Sequence, residues 1–155
     1  MKLSIVIPAR NEEGNIESTV RALQEYLDGA DIHNLEILVV NDGSTDRTRA
    51  VVEAIGQEDP RVRVIDNPGK HGYGRCVTAG LNNFTGDAVV IYMADASDAP
   101  EDVEKYYYIL RDKADCAFGS RFMRASKVYN YPMFKLVINR IANFVIRLMF
   151  TMRFN

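Results

Sequence analysis

Five short runs that read as strands recur along the chain, at 3–7, 35–40, 62–66, 88–93 and 115–119, the first four rich in β-branched residues. Their starts lie 32, 27, 26 and 27 residues apart, the length that a strand, a crossover helix and two loops consume. The segments between them carry helical periodicity. Ile16, Val20, Leu23 and Leu27 share one helical face, with Glu12, Glu13 and Glu17 near the positive N-terminal end and Gly29 past the stop. A second helix is expected after Ser44, Thr45 and Asp46, all capping residue types, burying Val51, Ala54 and Ile55 before Gly56. A third is expected over 73–83, and a fourth opening with Pro100 and turning Val103, Tyr107 and Leu110 inward. Runs such as ILVV and AVVIYM are apolar without alternation, as strands covered on both faces are. The expected fold is α/β, an open, mostly parallel sheet with helices on both faces.

A chain of 155 residues holds one ordinary domain, and its 47% apolar and 26% charged residues exclude collagen-like, low-complexity and disordered classes. Cys76 and Cys116 stand far apart in apolar surroundings, which suits neither a disulfide framework nor a cysteine metal site and fits a reducing compartment. His33 and His71 have no partner at metal-binding spacing and read as surface or loop residues. The apolar stretch 3–7 is too short for the core of a signal peptide, and no apolar run approaches the ~18 residues of a membrane span. A cytoplasmic location is expected.

The net charge of −2 hides a division. Residues 1–115 carry twelve basic and twenty-one acidic side chains, a net −9, whereas 116–155 carry seven basic and no acidic ones, a net +7. The acidic body repels a polyanion such as a nucleic acid, while the carboxylate-free tail suits phosphates or an anionic lipid surface. Within 133–153, apolar residues fall at 134, 137, 138, 141, 144, 145, 148, 149 and 152 and polar ones at 135, 139, 143, 147 and 151, the spacing of a long amphipathic helix. A core over 1–130 and a helical extension over 131–155 are therefore expected. The extension has neither a helix stop signal nor a following strand, the pattern expected of a chain cut short at Asn155. Its positive charge and apolar face predict a peripheral helix on the cytoplasmic face of a membrane; the alternative is that the apolar face packs on the sheet as an ordinary core helix, or on segments absent from this chain.

In open α/β sheets the ligand lies outside the carboxyl ends of the strands. The five segments that follow the apolar runs are unusually polar: Pro8-Ala9-Arg10-Asn11-Glu12-Glu13, Asn41-Asp42-Gly43-Ser44-Thr45-Asp46, Asn67-Pro68-Gly69-Lys70-His71-Gly72, Asp95-Ala96-Ser97-Asp98 and Ser120-Arg121. One rim thus gathers acceptors for a base and ribose, cations for phosphate and a carboxylate pair for a hard divalent cation. The phosphate-binding P-loop pattern is absent, and Gly72-Tyr73-Gly74 lacks the third glycine of a dinucleotide fingerprint, which argues against P-loop enzymes and dehydrogenases. Ser44, Thr45 and Asp46 also read as a turn and helix cap, and Asp98 equally as a cap for the helix at Pro100.

Five motifs in order, IVIPARNEE at 5–13, VVNDGSTDRT at 39–48, NPGKHGYG at 67–74, GDAVVIYMADASDAPED at 86–102 and GSR at 119–121, resemble glycosyltransferase family 2 with its GT-A fold. Within it they are most similar to the polyprenol- and dolichyl-phosphate sugar transferases. The resemblance implies that Pro8, Arg10 and Glu12 frame the nucleoside, that Asp42 bonds the base or ribose, and that Lys70 lies near the base or diphosphate. It implies Asp95 as the second acidic position of the family's DxD metal motif, and Arg121 as the arginine meeting a phosphate of donor or acceptor. Met93 stands where the first DxD aspartate normally lies, leaving Asp95 and Asp98 as the available pair. The family's catalytic domain also usually continues past this amphipathic region.

The implied reaction moves a hexose, with inversion, from a GDP- or UDP-sugar to a polyprenyl phosphate, with Asp95 and Arg121 as the catalytic pair and Mg2+ or Mn2+ as cofactor. Two alternatives stay open. One is a nucleotide-sugar binding domain disabled by Met93 or by truncation; the other is a sugar nucleotidyltransferase, which IPAR suits and the DGSTD loop argues against.

Overall fold

The computed structural model describes residues 1–119 and 133–150. Four strands, β1 (Leu3–Ala9), β2 (Leu35–Asn41), β3 (Val62–Asp66) and β4 (Ala88–Ile91), form one sheet in the order β3-β2-β1-β4. Every pairing is parallel, and β1 is matched residue for residue to β2, from Leu3 opposite Leu35 to Ala9 opposite Asn41. The crossovers are α1 (Ile16–Gly29), α2 (Thr48–Glu58) and α3 (Tyr73–Leu81); α4 (Pro100–Asp112) follows β4 and α5 (Met133–Phe150) stands later. The chain divides into two compact units, Met1–Asp115 and Cys116–Asn155.

Alternation along β1 sorts the core into two layers. Leu3, Ile5, Ile7 and Ala9 pack with Ile16, Val20, Leu23 and Leu27 of α1, Val52 and Ile55 of α2, and Val103 of α4. On the other face Val6, Leu38 and Val40 pack with Cys76 and Ala79 of α3. The helix lies directly on the strand there: a Cβ on Gly80 would fall 2.3 Å from the Val6 side chain. The Cys76 thiol donates to the Val40 carbonyl, and burial pushes its pKa up to about 11.

Several expectations are corrected. No strand forms at 115–119. That run has no β-branched residue, and Phe118 is 89% exposed, so it has no buried face to bring to a sheet. Cys116 is exposed rather than in apolar surroundings. In α2 the fully buried residues are Thr48, Val52 and Ile55, an i, i+4, i+7 stripe, with Val51 partly buried against the same layer as expected, while Ala54 falls off that stripe and is exposed. Gly56 does not stop α2; a Cβ there would lie 2.8 Å from the Val62 carbonyl oxygen, so glycine lets the helix approach β3. In the second unit, α5 exposes Phe134, Ile141, Phe144 and Leu148. Among the described residues no helix is long and apolar enough to cross a membrane.

One charge is buried in the sheet. Glu36, on β2 opposite Ser4, accepts hydrogen bonds from the Ser4 hydroxyl, the Thr85 N–H and the Arg63 guanidinium, and so ties the α3–β4 connection to the sheet. Burial alone would raise its pKa, but these donors outweigh burial and hold it down at about 2. Glu36→Gln is expected to destabilise the protein at pH 7 by about 1–3 kcal/mol. The folded pKa lies below the unfolded one, so this stabilisation is present above pH ~4.5 and is lost as pH falls towards 2. Urea unfolding of both proteins from pH 7 to pH 3 should therefore show the gap narrowing below pH ~4.5.

Candidate functional site

The strand order sets where a ligand can sit. From β1 the chain winds outward to β2 and β3, then crosses back over α3 to place β4 on the other side of β1. The connections diverge between β1 and β4, the topological switch point at which open α/β sheets hold ligands. Pro8 helps to open this crevice. The Val6 carbonyl accepts the Tyr92 N–H, and two residues on, facing the same neighbour, Pro8 has no N–H to offer. Pairing to β4 ends there.

The loops after β1 and β2 are stitched together. The Asn11 N–H donates to Ser44 Oγ (3.1 Å), the Thr45 N–H to Asn11 Oδ1 (2.8 Å), the Glu12 N–H to Thr48 Oγ1 (2.8 Å) and the Glu13 N–H to Asp46 Oδ2 (3.1 Å). Asn11 adopts φ +56°, a left-handed conformation asparagine tolerates better than most residues. Asp46 also accepts from the N–H and hydroxyl of Thr48, but the N-cap of α2 is Arg47, with no side-chain cap, so none of Ser44, Thr45 and Asp46 is the cap, and Ser44 serves Asn11 instead. Glu12 accepts from the Asn15 amide, which makes it as much scaffold as ligand group.

Asp42 is the centre of this rim. Its N–H donates to the Ala9 carbonyl and its side chain is buried. Oδ1 accepts from the Asn67 amide at 2.6 Å, Oδ2 from the Gly72 N–H at 2.8 Å, and His71 Nδ1 lies 3.7 Å away. Burial pushes the carboxyl pKa up, but Asn67, Gly72, His71 and Arg10 outweigh it and hold Asp42 below the usual carboxylate range. A carboxylate has about four acceptor positions, so the two used here leave room for a ligand donor. Arg10 is exposed beside this end of the sheet, and Lys70 is exposed on the loop that Asp42 anchors. The sequence reading missed Asn67 and set His71 aside; the signal was their place in the same polar loop as Lys70.

At the other side of the crevice, Asp95 is exposed after β4 and Asp98 is half-buried. Asp95 Oδ1 accepts the Ser97 N–H at 3.1 Å. Asp98 is not the cap of α4, whose N-cap is Ala99; its Oδ2 accepts the Met93 N–H at 3.0 Å. Among the described residues no three His, Cys, Asp or Glu side chains converge as a metal cage. Carboxylate oxygen from one or two residues still fits a hard cation that takes its remaining ligands from phosphate and water, as magnesium commonly does. Arg121 lies outside the described residues.

The pattern of glycosyl transferase family 2 matches residues 4–153. The chain belongs to glycosyltransferase family 2. It is 33% identical over 148 residues to a dolichol-phosphate mannosyltransferase of Pyrococcus furiosus, covering 96% of this chain and 41% of the relative. A polyprenol monophosphomannose synthase of Mycolicibacterium smegmatis is 34% identical over 143 residues, 90% of this chain and 52% of the relative. The chain thus spans about half the length of these relatives. Among solved structures, a mannosyltransferase of Pyrobaculum calidifontis in complex with GDP-Man and Mn2+ matches at TM-score 0.61 and 26% identity, over 72% of this chain and 33% of that one. A glucosyl-3-phosphoglycerate synthase of Mycobacterium tuberculosis in complex with phosphoglyceric acid matches at TM-score 0.60 and 29% identity, over 72% and 40%. The open parallel sheet is the GT-A arrangement of these family members.

Within this family member, Gly43 meets two demands at once. Its φ is +66°, and a Cβ there would lie 2.2 Å from the His71 ring. Gly43→Ala is expected to destabilise by about 1–2 kcal/mol from the left-handed conformation alone, with the overlap added. His71→Ala should relieve only the overlap. A double-mutant cycle by urea unfolding should therefore return a coupling of at least about 0.5 kcal/mol between the two positions.

Proposed function

We propose that this chain supplies the nucleotide-sugar site of an enzyme that moves a hexose, with inversion, from a nucleoside diphosphate sugar to a polyprenyl phosphate. The observation that carries the reading is the position of Asp42 and Asp95 on the loops after β2 and β4, the strands that flank β1. The donor lies across the end of β1. Its nucleoside is held by Asp42 on the side of β2, with Pro8, Arg10 and Glu12 around it, and its diphosphate reaches towards Asp95. The names of the two relatives support a polyprenyl acceptor. Bound GDP-Man in one solved relative and UDP-glucose in another support a GDP- or UDP-sugar donor.

The chemistry asks mainly for binding. A lipid phosphate monoester has a second pKa of about 6, so at neutral pH it is already an anionic nucleophile. Its oxygen bonds to the anomeric carbon from the face opposite the leaving group, the bond to the nucleoside diphosphate breaks, and the diphosphate leaves with the electron pair. No strong general base is required. Lys70 and Arg121 neutralise charge on the two phosphate groups. A divalent cation, Mg2+ or Mn2+, supplies charge stabilisation for the leaving diphosphate when bound at Asp95. Mn2+ in the two solved relatives supports this assignment.

The acceptor is presented at a membrane surface. Residues 116–155 hold seven basic and no acidic side chains, and the apolar residues exposed on α5 suit the boundary between headgroups and acyl chains. Basic residues near an anionic leaflet contribute about 1 kcal/mol each. The protein then works as a peripheral enzyme on the cytoplasmic face.

Calorimetry with UDP and GDP separates the two ends of the donor site. Asp42→Ala is expected to weaken binding even without metal, whereas Asp95→Ala should remove chiefly the part that Mn2+ adds; unchanged affinity in both variants with Mn2+ present refutes the assignment. Transfer assays decide the acceptor: product on a polyprenyl phosphate supports the reading, while product only on 3-phosphoglycerate replaces the lipid with a small phosphorylated acid. Sedimentation with anionic and neutral vesicles tests the membrane. Binding to anionic vesicles that salt weakens and that Arg140→Glu with Arg147→Glu reduces is the expected result.

A further inference from the structure

We infer that Asp98 is a positioning residue, a clasp that closes the β4–α4 loop and presents Asp95, and not itself a ligand of the cation. This rests on the functional reading above. Tyr92 and Met93, the two residues that follow β4, both grip residue 98. The Tyr92 hydroxyl donates to the Asp98 carbonyl at 2.6 Å, and the Met93 N–H donates to Asp98 Oδ2 at 3.0 Å. Tyr92 is itself buried in the core and pinned to β1 through its N–H to the Val6 carbonyl. Between the two grips, Ala94 is buried, with its carbonyl accepting from the Thr19 hydroxyl of α1. Only Asp95, Ala96 and Ser97 project outward.

The projection is held against a local cost. Ala96 has φ +56°, a conformation that costs an ordinary residue about 1 kcal/mol or more and persists where the surroundings over-determine it. This reversal brings the chain back so that Asp98 reaches Met93. At the position where the family's first metal aspartate normally stands, Met93 thus contributes a backbone N–H, and the carboxylate five residues on answers it. Each carboxylate accepts one backbone N–H, Asp98 from Met93 and Asp95 from Ser97, but Asp98 is half-buried against the strand end whereas Asp95 is exposed on the projecting segment. A cation at Asp98 would be left with Oδ1 of a half-buried carboxylate whose other oxygen already answers a positively polarised N–H. Asp98 therefore fixes where Asp95 points, a role that needs an acceptor oxygen but no charge.

Asparagine keeps the acceptor and removes the charge, so the comparison of Asp98→Asn with Asp98→Ala in the full chain is decisive. Amide hydrogen exchange is read at Met93 in the metal-free protein, and calorimetry reads the gain in UDP or GDP affinity on adding Mn2+. Asp98→Asn should keep Met93 protected and keep the Mn2+-dependent affinity within about threefold. Asp98→Ala should release the Met93 amide and weaken that affinity about tenfold or more, the range seen when support behind a metal ligand is removed. Loss of Mn2+-dependent affinity in Asp98→Asn with Met93 still protected overturns the proposal in favour of direct ligation. Unchanged exchange at Met93 in Asp98→Ala overturns the clasp. If the wild-type chain binds neither nucleotide with or without Mn2+, the functional reading fails and the role towards the cation with it. The exchange contrast then still reports whether the clasp exists.

Discussion

The seven-residue register between β1 and β2 is the constraint on which the rest of the structure depends. Leu3 faces Leu35 and Ala9 faces Asn41 with no slip between them, and the Asp42 N–H continues the ladder onto the Ala9 carbonyl. A shift of one residue would turn every inward side chain of one strand to the other face. It would also exchange the two core layers, in which Ile5 and Ile7 belong to the α1 side and Val6 to the α3 side. Because the strands end together, the loops that leave them begin side by side. That is why Asn11 and Ser44, or Glu13 and Asp46, can pair although they lie 33 residues apart in sequence.

The polar rim is therefore built before any ligand arrives. Asp42 is held by Ala9 through its backbone and holds Asn67 and Gly72 through its side chain, so the ends of β1 and β2 and the loop after β3 meet at this one residue. Glu36 does the same at the other end of β2, where Ser4, Thr85 and Arg63 converge on it. β2 thus has a satisfied acidic group near its start and another just past its end, with the apolar run Ile37, Leu38, Val39 and Val40 and then Asn41 between them. The strand's ends stay fixed while its centre holds the core.

How much of this was legible follows from what each feature depends on. The first four strands and four helices were readable because apolar spacing is local, and Ile16, Val20, Leu23 and Leu27 are all buried as their spacing requires. The strand expected at 115–119 failed because an apolar run needs a partner as well as a pattern, and Phe118 is exposed. Asp42 and Asp95 could be picked out because a charged residue straight after an apolar strand falls on the ligand side of such a sheet. The hidden features depend on which loops become neighbours. Glu36 looks like a misplaced charge until Ser4 and Arg63 stand beside it, and Asp98 looks like a helix cap until Met93 turns its N–H inward. His71 gains meaning only once Gly43 is known to lie under its ring. These are contacts between segments, and no single segment encodes them.

The electrostatics of the two ends of the crevice differ in a way that orders the chemistry. Asp42 is surrounded by donors and by Arg10, so its charge is largely answered inside the protein, and an uncharged base or ribose can approach it. Asp95 stands exposed at the front of an acidic stretch that includes Asp98, Glu101 and Asp102. A diphosphate brought there meets like charge: two unit charges 4 Å apart repel by about 4 kcal/mol near a protein surface. The Asp95 end is therefore unfavourable to a bare diphosphate and favourable to one that arrives with a cation between. The same carboxylate cost does not arise in residues 116–155, which have none. The charge is thus divided along the chain: the twenty-one acidic side chains all lie in residues 1–115, and residues 116–155 carry seven basic side chains and no acidic one.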